Sequence, residues 1–482
     1  MTLPQSWARH ARASPERPAL EDAEGRRLDY AALEAQSRRA AGRLHAAGLR
    51  AGDRVLTSAA ASLELAVAHV ACLRLGLVVV PANTAYRAPE LAHLVSDAAP
   101  SAALVDDAER SAALHAADAA LAVWSPALDL PDAEPPALDV AAPEAPALIG
   151  YTSGTTGRPK GAVLSHANLE AGAEALRRAW QWTPEDRLVL ALPLFHMHGL
   201  GVGLHGTLHA GACARLLPRF EPEPVLACIE AWRATLFFGV PTMYHRLAEA
   251  PGAGALARLR LCVSGSAPLS AELHARIEAL TGQRILERYG MTETLMLTSN
   301  PVEGDRRPGS VGTPLPGVEL RLEAETGEIQ VRGPNVFRGY WGRPDATAEA
   351  FTQDGWFRTG DLGERDAAGY LRIVGRAKEL IISGGYNVYP REVEEALEAL
   401  PGIEQAAVVG DPSDEWGERV TAYVVGPDPP GLSALREGLA GRLAPYKQPR
   451  ALHVVDALPR NALGKLQRHR LRDGRVAPET SD

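Results

Sequence analysis

The sequence predicts an α/β protein with mostly parallel sheets and more than one domain. Its 482 residues exceed what a single hydrophobic core usually organises. In the first 130 residues, Ala-rich helical patterns alternate with short apolar runs such as 54–57 and 77–81, which is typical of βα units. Similar runs at 188–192, 235–239 and 259–263 are each followed by turn residues and a helical pattern, so they predict a second αβ layer.

The pattern changes twice after these layers. From 309 to 374, short β segments are punctuated by Gly and Pro, which predicts a small β-barrel or twisted sheet. Beyond Arg376 the chain returns to a compact α+β pattern. We therefore expect a boundary near Lys378, with a large N-terminal domain at 1–377 and a smaller C-terminal domain at 378–482.

Composition and charge limit the kinds of molecule that the protein is expected to bind. The formal net charge of −9 and the pI near 5.9 argue against a nucleic-acid binder, so an anionic ligand has to be held by local cations. The four cysteines are scattered without a C-x-x-C pair, which favours a reducing cytoplasm. The N-terminus lacks the apolar core of a signal peptide. Polar residues interrupt the apolar stretch 63–80, which predicts a buried helix, a glycine cap and a strand instead of a membrane span.

One stretch, Tyr151-Thr-Ser-Gly-Thr-Thr-Gly-Arg-Pro-Lys-Gly161, concentrates residues suited to a polyphosphate. It follows an apolar run and precedes a helical pattern that starts near Ser165. Its four Ser and Thr side chains supply donors, its three glycines let backbone N–H groups approach anionic oxygens, and Arg158 and Lys160 add positive charge. The spacing is not that of a Walker A loop, because Gly161 follows Lys160. The alternative is a flexible surface turn.

This stretch, the phosphate loop, resembles the phosphate-loop signature of the adenylate-forming superfamily, which contains acyl-CoA synthetases, luciferases and peptide-synthetase adenylation domains. The similarity extends over nearly the whole chain. It implies the adenylate-forming enzyme fold with a mobile C-terminal domain, and it implies a reaction that uses ATP, Mg²⁺ and coenzyme A. The ATP contacts implied in this loop are Thr152, Ser153, Gly154, Thr155, Thr156, Gly157 and Lys160, with Thr156 next to the metal.

Arg288-Tyr-Gly-Met-Thr-Glu293 resembles the second signature of the superfamily. The resemblance implies that Tyr289 stacks on adenine, that Thr292 contacts the α-phosphate and that Glu293 helps to hold Mg²⁺. A Mg²⁺ ion needs only one or two carboxylates when phosphates and water supply its other ligands. Further nucleotide contacts are implied for Glu287, Arg288, Gly290 and Met291, and for Gly265, Ser266 and Ala267 beside the adenine.

The resemblance also assigns groups in the C-terminal part of the chain. Asp361 and Arg376 would bind the ribose hydroxyls, which such side chains can do by accepting and donating hydrogen bonds. Lys378 matches the hinge position. Lys465 would be the catalytic cation that offsets the charge developing between the carboxylate and the α-phosphate. The loop implied to leave a tunnel for coenzyme A is Ser383, Gly384, Gly385 and Tyr386.

Two features concern the acid. The segment at 195–199 occupies the position of the acyl-pocket wall, with His196 near the reacting carboxylate; a His instead of an Asp at this position argues against an amino acid. The loop around Arg306 resembles that of malonyl-CoA synthetases. We expect Arg306, with His198 and Ser266, to pair the second carboxylate of malonate, with methylmalonate as a possible second substrate. Burying that charge unpaired would cost roughly several kcal/mol.

Other functions remain open on the sequence. In a ligase for a fatty, aryl or short monocarboxylic acid, Arg306 would be incidental. A nucleotide sensor without turnover is disfavoured because Glu293, Asp361 and Lys465 are all present. A domain that charges a carrier protein is disfavoured by the short charged tail after Lys465, and a hydrolase by the lack of a G-x-S-x-G elbow.

Overall fold

The computed structural model describes residues 2–152, 159–383, 386–413, 415–440, 442–460 and 465–472. Contacts divide the chain into two compact units. The larger unit comprises Met1–Leu320 and Val331–Phe357, and the smaller unit comprises Arg321–Gln330 and Arg358–Asp482. The domain boundary near Lys378 stays a prediction.

Helices begin and end at residues whose capping role is visible in the sequence. Ser62 caps the helix Leu63–Leu75 through a hydrogen bond from the backbone N–H of Leu65, and Gly76 ends it in the left-handed region at φ 77°. The helices are α1 (Leu3–Ala13), α2 (Tyr30–Ala46), α3 (Leu63–Leu75), α4 (Ala88–Ala98), α5 (Ala108–Ala117), α6 (His166–Ala179), α7 (His205–Ala210), α8 (Pro222–Ala231), α9 (Pro241–Glu249), α10 (Ala271–Thr281), α11 (Pro344–Ala350), α12 (Pro390–Glu398), α13 (Leu432–Leu439) and α14 (Arg468–Arg472). A π-helical segment occupies His198–Leu204, and 3₁₀ helices occupy Ala253–Arg258 and Ala377–Glu379.

The strands are short, and the apolar runs picked out in the sequence overlap some of them. In chain order they are β1 (Pro18–Glu21), β2 (Arg27–Asp29), β3 (Arg54–Ser58), β4 (Val78–Pro81), β5 (Ala102–Val105), β6 (Ala122–Trp124), β7 (Pro146–Thr152), β8 (Lys160–Ser165), β9 (Arg187–Leu190), β10 (Cys213–Leu216), β11 (Leu236–Gly239), β12 (Leu261–Ser264), β13 (Leu286–Tyr289), β14 (Thr298–Ser299), β15 (Thr313–Pro314), β16 (Glu319–Leu322), β17 (Glu328–Arg332), β18 (Gly339–Tyr340), β19 (Phe357–Arg365), β20 (Leu371–Arg376), β21 (Ile381–Ser383), β22 (Tyr386–Val388), β23 (Gln405–Ser413), β24 (Gly417–Val425) and β25 (Ala451–Val454).

In the larger unit, nine of the described strands form one sheet in the order β15-β14-β13-β12-β11-β9-β10-β1-β2. The run from β13 to β1 is parallel, as predicted. The carboxyl ends of parallel strands lie at one edge of a sheet, which is where ligands bind in such folds. Because β12 ends at Ser264 and β13 at Tyr289, the two predicted nucleotide segments follow directly at this edge.

A second sheet of the larger unit has seven of the described strands, in the order β18-β8-β7-β4-β3-β5-β6. Its strands β7, β4, β3, β5 and β6 are parallel, whereas β8 is antiparallel to both β7 and β18. The prediction for 63–80 is confirmed, since α3, Gly76 and β4 are the expected helix, cap and strand. None of the helices in the described ranges combines the length and the apolar character that a membrane crossing requires.

The smaller unit has the α+β composition predicted beyond Arg376. One sheet has the order β16-β17-β19-β20, so the segment predicted to form a small β-barrel or a twisted sheet forms a sheet. A second sheet has the order β22-β21-β24-β23, with β25 paired to β24. Its apolar face packs against α12 and α13 in a core that includes Val393, Leu397, Leu435 and Leu439.

Candidate active site

The phosphate loop connects β7 to β8, which pair antiparallel. Thr152 lies opposite Lys160 in this pair of strands. The first and last predicted phosphate contacts are therefore held next to each other, where the strands meet the loop. The Thr152 hydroxyl also donates a hydrogen bond to the Lys160 carbonyl at 3.4 Å. The predicted contacts Ser153, Gly154, Thr155, Thr156 and Gly157 lie outside the described residues, and their role stays a prediction.

One face of α4 holds both flanks of the phosphate loop. The Tyr151 hydroxyl donates to Asp97 Oδ2 at 2.7 Å, and His93 Nε2 lies 3.0 Å from the Pro159 carbonyl oxygen. His93 and Asp97 are four residues apart, which places them on the same side of a helix. Burial, followed by the hydrogen bond to Asp97, raises the pKa of Tyr151, so this phenol remains a donor at neutral pH.

The second predicted motif meets β7 just before the phosphate loop. A Cβ on Gly150 would overlap Thr292 Cγ2, so the Thr292 side chain lies directly against the strand that leads into the loop. At the start of the motif, any side chain on Gly290 would overlap the Leu295 carbonyl oxygen. Two close approaches that only glycine permits therefore bring Thr292, the predicted α-phosphate contact, next to the loop.

Glu293 and Lys160 meet at the side chain of Tyr340. Glu293 is buried at 4% exposure, and its Oε1 accepts a hydrogen bond of 3.1 Å from the Tyr340 hydroxyl. Lys160 Nζ lies 5.3 Å from the centre of the Tyr340 ring. The Met291 carbonyl accepts a hydrogen bond from the Thr294 N–H at 3.2 Å and closes the turn that presents Glu293.

A single buried carboxylate at this point fits a Mg²⁺ ion that arrives with ATP, because phosphate oxygens and water supply its remaining ligands. Within the described ranges, no three His, Cys, Asp or Glu side chains are grouped to hold a metal ion. Thr156, the second predicted metal residue, lies outside the described residues.

Arg288 occupies the space behind the predicted adenine segment. Its side chain is 4% exposed, and burial lowers its pKa to about 9. Nε and Nη2 have no hydrogen-bond partner among the described residues. A Cβ on Gly265 would lie 2.5 Å from Nε and 2.7 Å from Nη1, so the absence of a side chain at 265 makes room for the guanidinium. Ser266 follows in the left-handed region at φ 70°, and Ala267 is half-buried.

Of the two predicted histidines, His198 begins the π-helical segment and His196 lies two residues before it. A π-helical turn is frequent at functional sites. The His198 N–H donates to His196 Nδ1 at 3.2 Å. His198 Nδ1 lies 3.4 Å from Ser266 Oγ, and Nε2 of this buried ring has no partner within the described residues. Burial, together with Arg288 and His196, holds the pKa of His198 well below its usual value, so the ring is neutral. His198 and Arg288 are buried and Ser266 is half-buried. We name these three residues the candidate acid pocket.

Arg306 uses its guanidinium to hold its own loop. Nε donates to the carbonyl of Pro301 at 3.1 Å, Nη1 to that of Arg284 at 2.5 Å and Nη2 to that of Val302 at 2.6 Å. Every nitrogen of the group is engaged with backbone oxygen. Arg306 therefore differs from Arg288, two of whose nitrogens have no partner among the described residues. The role of Arg306 toward the acid stays a prediction.

Glu287 precedes Arg288 on β13 and was predicted as a nucleotide contact. Its Oε1 accepts a hydrogen bond from the Gly309 N–H at 3.0 Å, and its backbone carbonyl accepts one from Asn300 at 3.1 Å. These bonds tie the loop that contains Arg306 to β13. A contact of Glu287 with the nucleotide stays a prediction.

In the smaller unit, the predicted ribose pair is brought together. Asp361 on β19 lies opposite Arg376 on β20, and Arg376 Nε is 3.0 Å from Asp361 Oδ1. The Asp361 side chain is buried, whereas that of Arg376 is half exposed. The Asp361 N–H donates to Thr359 Oγ1 at 3.1 Å, which fixes the backbone at this position. A buried carboxylate beside an accessible guanidinium suits a pair of vicinal hydroxyls.

The predicted hinge and catalytic lysines of the smaller unit are accessible. Lys378 lies on the 3₁₀ helix Ala377–Glu379, and Lys465 adjoins Leu466, which forms a β-bridge with Arg460; both lysines are exposed. The hinge and catalytic roles stay predictions.

Ser383 and Tyr386 face each other across the β21–β22 hairpin. Ser383 is buried, while Tyr386 is 58% exposed and its ring stacks on that of Tyr446 with 4.7 Å between the centres. Gly384 and Gly385 lie outside the described residues. An exposed aromatic pair at this hairpin is consistent with the predicted contact to coenzyme A, which stays a prediction.

Tyr340 and Asp97 are the residues that the sequence analysis missed. Tyr340 belongs to a Gly-Tyr-Trp run far from the phosphate loop, and Asp97 ends a helix whose composition is ordinary. Neither residue has a local pattern that signals function. Only the pairing of β18 with β8, and the contact of α4 with the loop, reveal them.

Comparison with known proteins agrees with this geometry. Residues 7–341 match the family model described as AMP-binding enzyme, and residues 392–465 match that described as AMP-binding enzyme C-terminal domain. A feruloyl-CoA synthase from an Amycolatopsis species is 40% identical over 97% of this chain and 98% of its own length. A crystal structure of ATP-bound MatB from Rhodopseudomonas palustris is 41% identical, with a TM-score of 0.92 over 98% of this chain and 99% of that one.

A malonyl-CoA ligase in a ternary product complex with methylmalonyl-CoA and AMP is 49% identical, with a TM-score of 0.69 over 93% of this chain and 98% of that one. The chain therefore belongs to the AMP-binding enzyme family, within its acyl-CoA synthetases.

Proposed function

We propose that this chain is an ATP-dependent malonate–CoA ligase, with methylmalonate as a second substrate. The observation that carries the proposal is the buried guanidinium of Arg288, two of whose nitrogens lack a partner within the described ranges. A buried cation without a partner destabilises a fold, so its presence in a pocket points to a ligand that supplies the anion. The second carboxylate of malonate is such an anion, and a guanidinium can bind it through two hydrogen bonds.

The reaction has two steps. A carboxylate oxygen of the acid attacks the α-phosphorus of ATP, the bond to the diphosphate breaks, and an acyl-adenylate forms. The coenzyme A sulfur, having lost its proton to water, then attacks the acyl carbon, and AMP leaves with the electron pair of the C–O bond. Activation is needed because a carboxylate oxygen is otherwise too poor a leaving group for thioester formation.

The residues of the site have separate roles in these steps. Lys160 and Thr292 bind the phosphates, Tyr289 stacks on the adenine, and Asp361 with Arg376 binds the ribose. Lys465 offsets the charge that develops at the α-phosphate during adenylation. Glu293 would hold Mg²⁺, which neutralises phosphate charge when it is bound with ATP.

An aryl acid is the second candidate, because the feruloyl-CoA synthase is similar along nearly the whole chain. Such an acid carries one carboxylate, which is consumed in the reaction. The guanidinium of Arg288 would then remain buried beside an apolar ring, at a cost that a second carboxylate removes. The candidate acid pocket therefore favours a diacid.

A panel of acids tests the proposal. Diphosphate release would be measured with malonate, methylmalonate, acetate, octanoate and ferulate, each with and without coenzyme A. We expect the highest kcat/KM with malonate, and a thioester product only when coenzyme A is present. A higher kcat/KM with ferulate or octanoate would refute the proposal while leaving the acyl-CoA ligase chemistry intact.

Replacement of Arg288 identifies the group that selects the acid. We expect Arg288→Met to raise the KM for malonate by roughly 100-fold, equivalent to about 3 kcal/mol for a lost charge-assisted pair, with the KM for ATP unchanged. The melting temperature without ligand should rise, because the variant no longer buries an unpaired charge.

Arg306→Met is the matched control, since it removes an equal charge from the neighbouring loop. It should lower the melting temperature through the loss of three hydrogen bonds to backbone oxygen, with little effect on the KM for malonate. The reverse result, with malonate binding lost in Arg306→Met alone, would return the role to Arg306.

A further inference from the structure

Tyr340 is a single side chain that contacts residues from two separate motifs. Its hydroxyl donates to Glu293 Oε1 at 3.1 Å, and the face of its ring lies 5.3 Å from Lys160 Nζ. The position follows from the sheet, in which β18 pairs with β8 so that Tyr340 lies opposite Ala162, two residues after Lys160. The contact with Glu293 spans 47 residues of sequence.

The surrounding contacts hold Tyr340 in one place. Its backbone N–H donates to Thr347 Oγ1 at 2.9 Å, and its ring packs edge-on against Phe337 with 4.9 Å between the centres. The Phe337 N–H in turn donates to the Glu293 carbonyl at 2.8 Å. The segment that positions the phenol thus also positions the backbone of the carboxylate that the phenol contacts.

The Tyr340 hydroxyl is the donor in its hydrogen bond with Glu293, because a carboxylate oxygen can only accept. A protonated phenol fixed beside a carboxylate restricts the rotation of that carboxylate. The electron-rich face of the same ring attracts the Lys160 ammonium group.

We propose that Tyr340 is a positioning residue of the nucleotide site, with two separable effects. Its hydroxyl orients Glu293 toward Mg²⁺, and its ring holds Lys160 toward the phosphates of ATP. The proposal rests on the proposed function, in that Glu293 is taken as the metal ligand and Lys160 as a phosphate contact. Outer contacts of this kind typically change metal affinity by about 10- to 100-fold when they are removed.

Two substitutions separate the effects. Tyr340→Phe removes the hydroxyl and keeps the ring, whereas Tyr340→Leu removes both. Calorimetry would measure the affinity for ATP at a series of Mg²⁺ concentrations, and also with a chelator that removes the metal. This measurement reports on the nucleotide site without turnover. We expect Tyr340→Phe to raise the half-saturating Mg²⁺ concentration by about tenfold and to leave metal-free ATP affinity unchanged. Tyr340→Leu should in addition weaken metal-free ATP binding.

Tyr30→Phe is the matched control, because it also removes a buried phenolic hydroxyl, one that donates to the Ala212 carbonyl at 2.9 Å. Glu293→Gln is the reference for the metal role. If Glu293→Gln shifts the Mg²⁺ dependence and Tyr340→Phe behaves like Tyr30→Phe, the inference is overturned and the metal role stands. If Glu293→Gln shifts nothing, the metal role fails and the inference fails with it. Should Tyr340→Leu not fold, Tyr340→Phe decides.

Discussion

Arg288 is the residue on which the proposed choice of acid rests. Successive side chains of a strand point to opposite faces of the sheet. On β13, the Glu287 carboxylate accordingly engages the 300–310 loop, while Arg288 lies against Gly265. The sequence analysis predicted Arg306 as the partner of the second substrate carboxylate, and this stays a prediction beside our proposal of Arg288. The direction of a side chain relative to a distant loop has no local signal in the sequence.

Gly265→Ala tests the position of the Arg288 side chain. The added methyl group would displace the guanidinium, which is the flexible end of a long side chain, so we expect little change in melting temperature and a higher KM for malonate. The ATP KM should be unaffected. Gly254→Ala is the control, since no atom lies within 4 Å of a Cβ placed there. An equal rise in the ATP KM would instead support the predicted contact of Gly265 with adenine.

Three helices of the larger unit meet through buried histidines. His69 on α3 and His205 on α7 have their Nε2 atoms 2.7 Å apart, so one ring donates and the other accepts. His166 on α6 is fully buried, and neither ring nitrogen has a partner among the residues with described positions. Burial lowers the pKa of His69 and of His166 to about 4, and that of His205 well below its usual value, so the packing of these helices requires neutral rings.

Acid should therefore weaken this packing. Because the pKa in the folded state lies below the unfolded value near 6.5, the stabilisation is fully present above pH 6.5 and is lost as the pH falls toward 4. Each shift corresponds to about 3 kcal/mol. We expect the free energy of unfolding, measured with urea between pH 7.5 and 4.5, to fall with pH. The fall should be smaller in His166→Leu and unchanged in the exposed control His245→Gln. Identical slopes in all three proteins would contradict this account.

The chain as a whole carries the proposed chemistry on two compact units. Glu293, Arg288 and Lys160 belong to the larger unit, while Asp361 and Lys465 belong to the smaller. The sheets of nine and of seven described strands belong to the larger unit, and the sheet β22-β21-β24-β23 belongs to the smaller, which has a separate apolar core. Because the groups are divided between the two units, adenylation and thioester formation can depend on different residues.

Lys465→Ala should separate the half-reactions. We expect diphosphate release from ATP and malonate to fall by about 100-fold, because a cation at the α-phosphate is lost. Formation of malonyl-CoA from supplied malonyl-adenylate should be retained. For the assay of diphosphate release, which omits coenzyme A, Lys447→Ala is the control variant. Lys447 lies in the same unit, and its Nζ is paired with Glu392 Oε1 at 2.6 Å. Loss of both half-reactions in Lys465→Ala would assign the lysine a different role.

The sequence by itself predicted the α/β class, several of the helices and strands, and the candidate segments of the nucleotide site, the last of which stay a prediction. These features depend on local properties, namely apolar periodicity, capping residues and the glycines of loops, which can be recognised along the chain. It also predicted that Asp361 and Arg376 act together, because the motif of each residue could be recognised separately in the sequence.

Only the tertiary structure decided which arginine has nitrogens without a partner among the described residues and which residue contacts both Glu293 and Lys160. Both answers depend on contacts between strands that are distant in the sequence, as in the pairing of β18 with β8. They also depend on the surroundings of each buried charge. Arg306 is paired with backbone oxygen, whereas Arg288 has nitrogens without a partner among the described residues. Neither long-range pairing nor burial has a signature in the local order of residues, so the physical environment of these side chains appears only when the chain is folded.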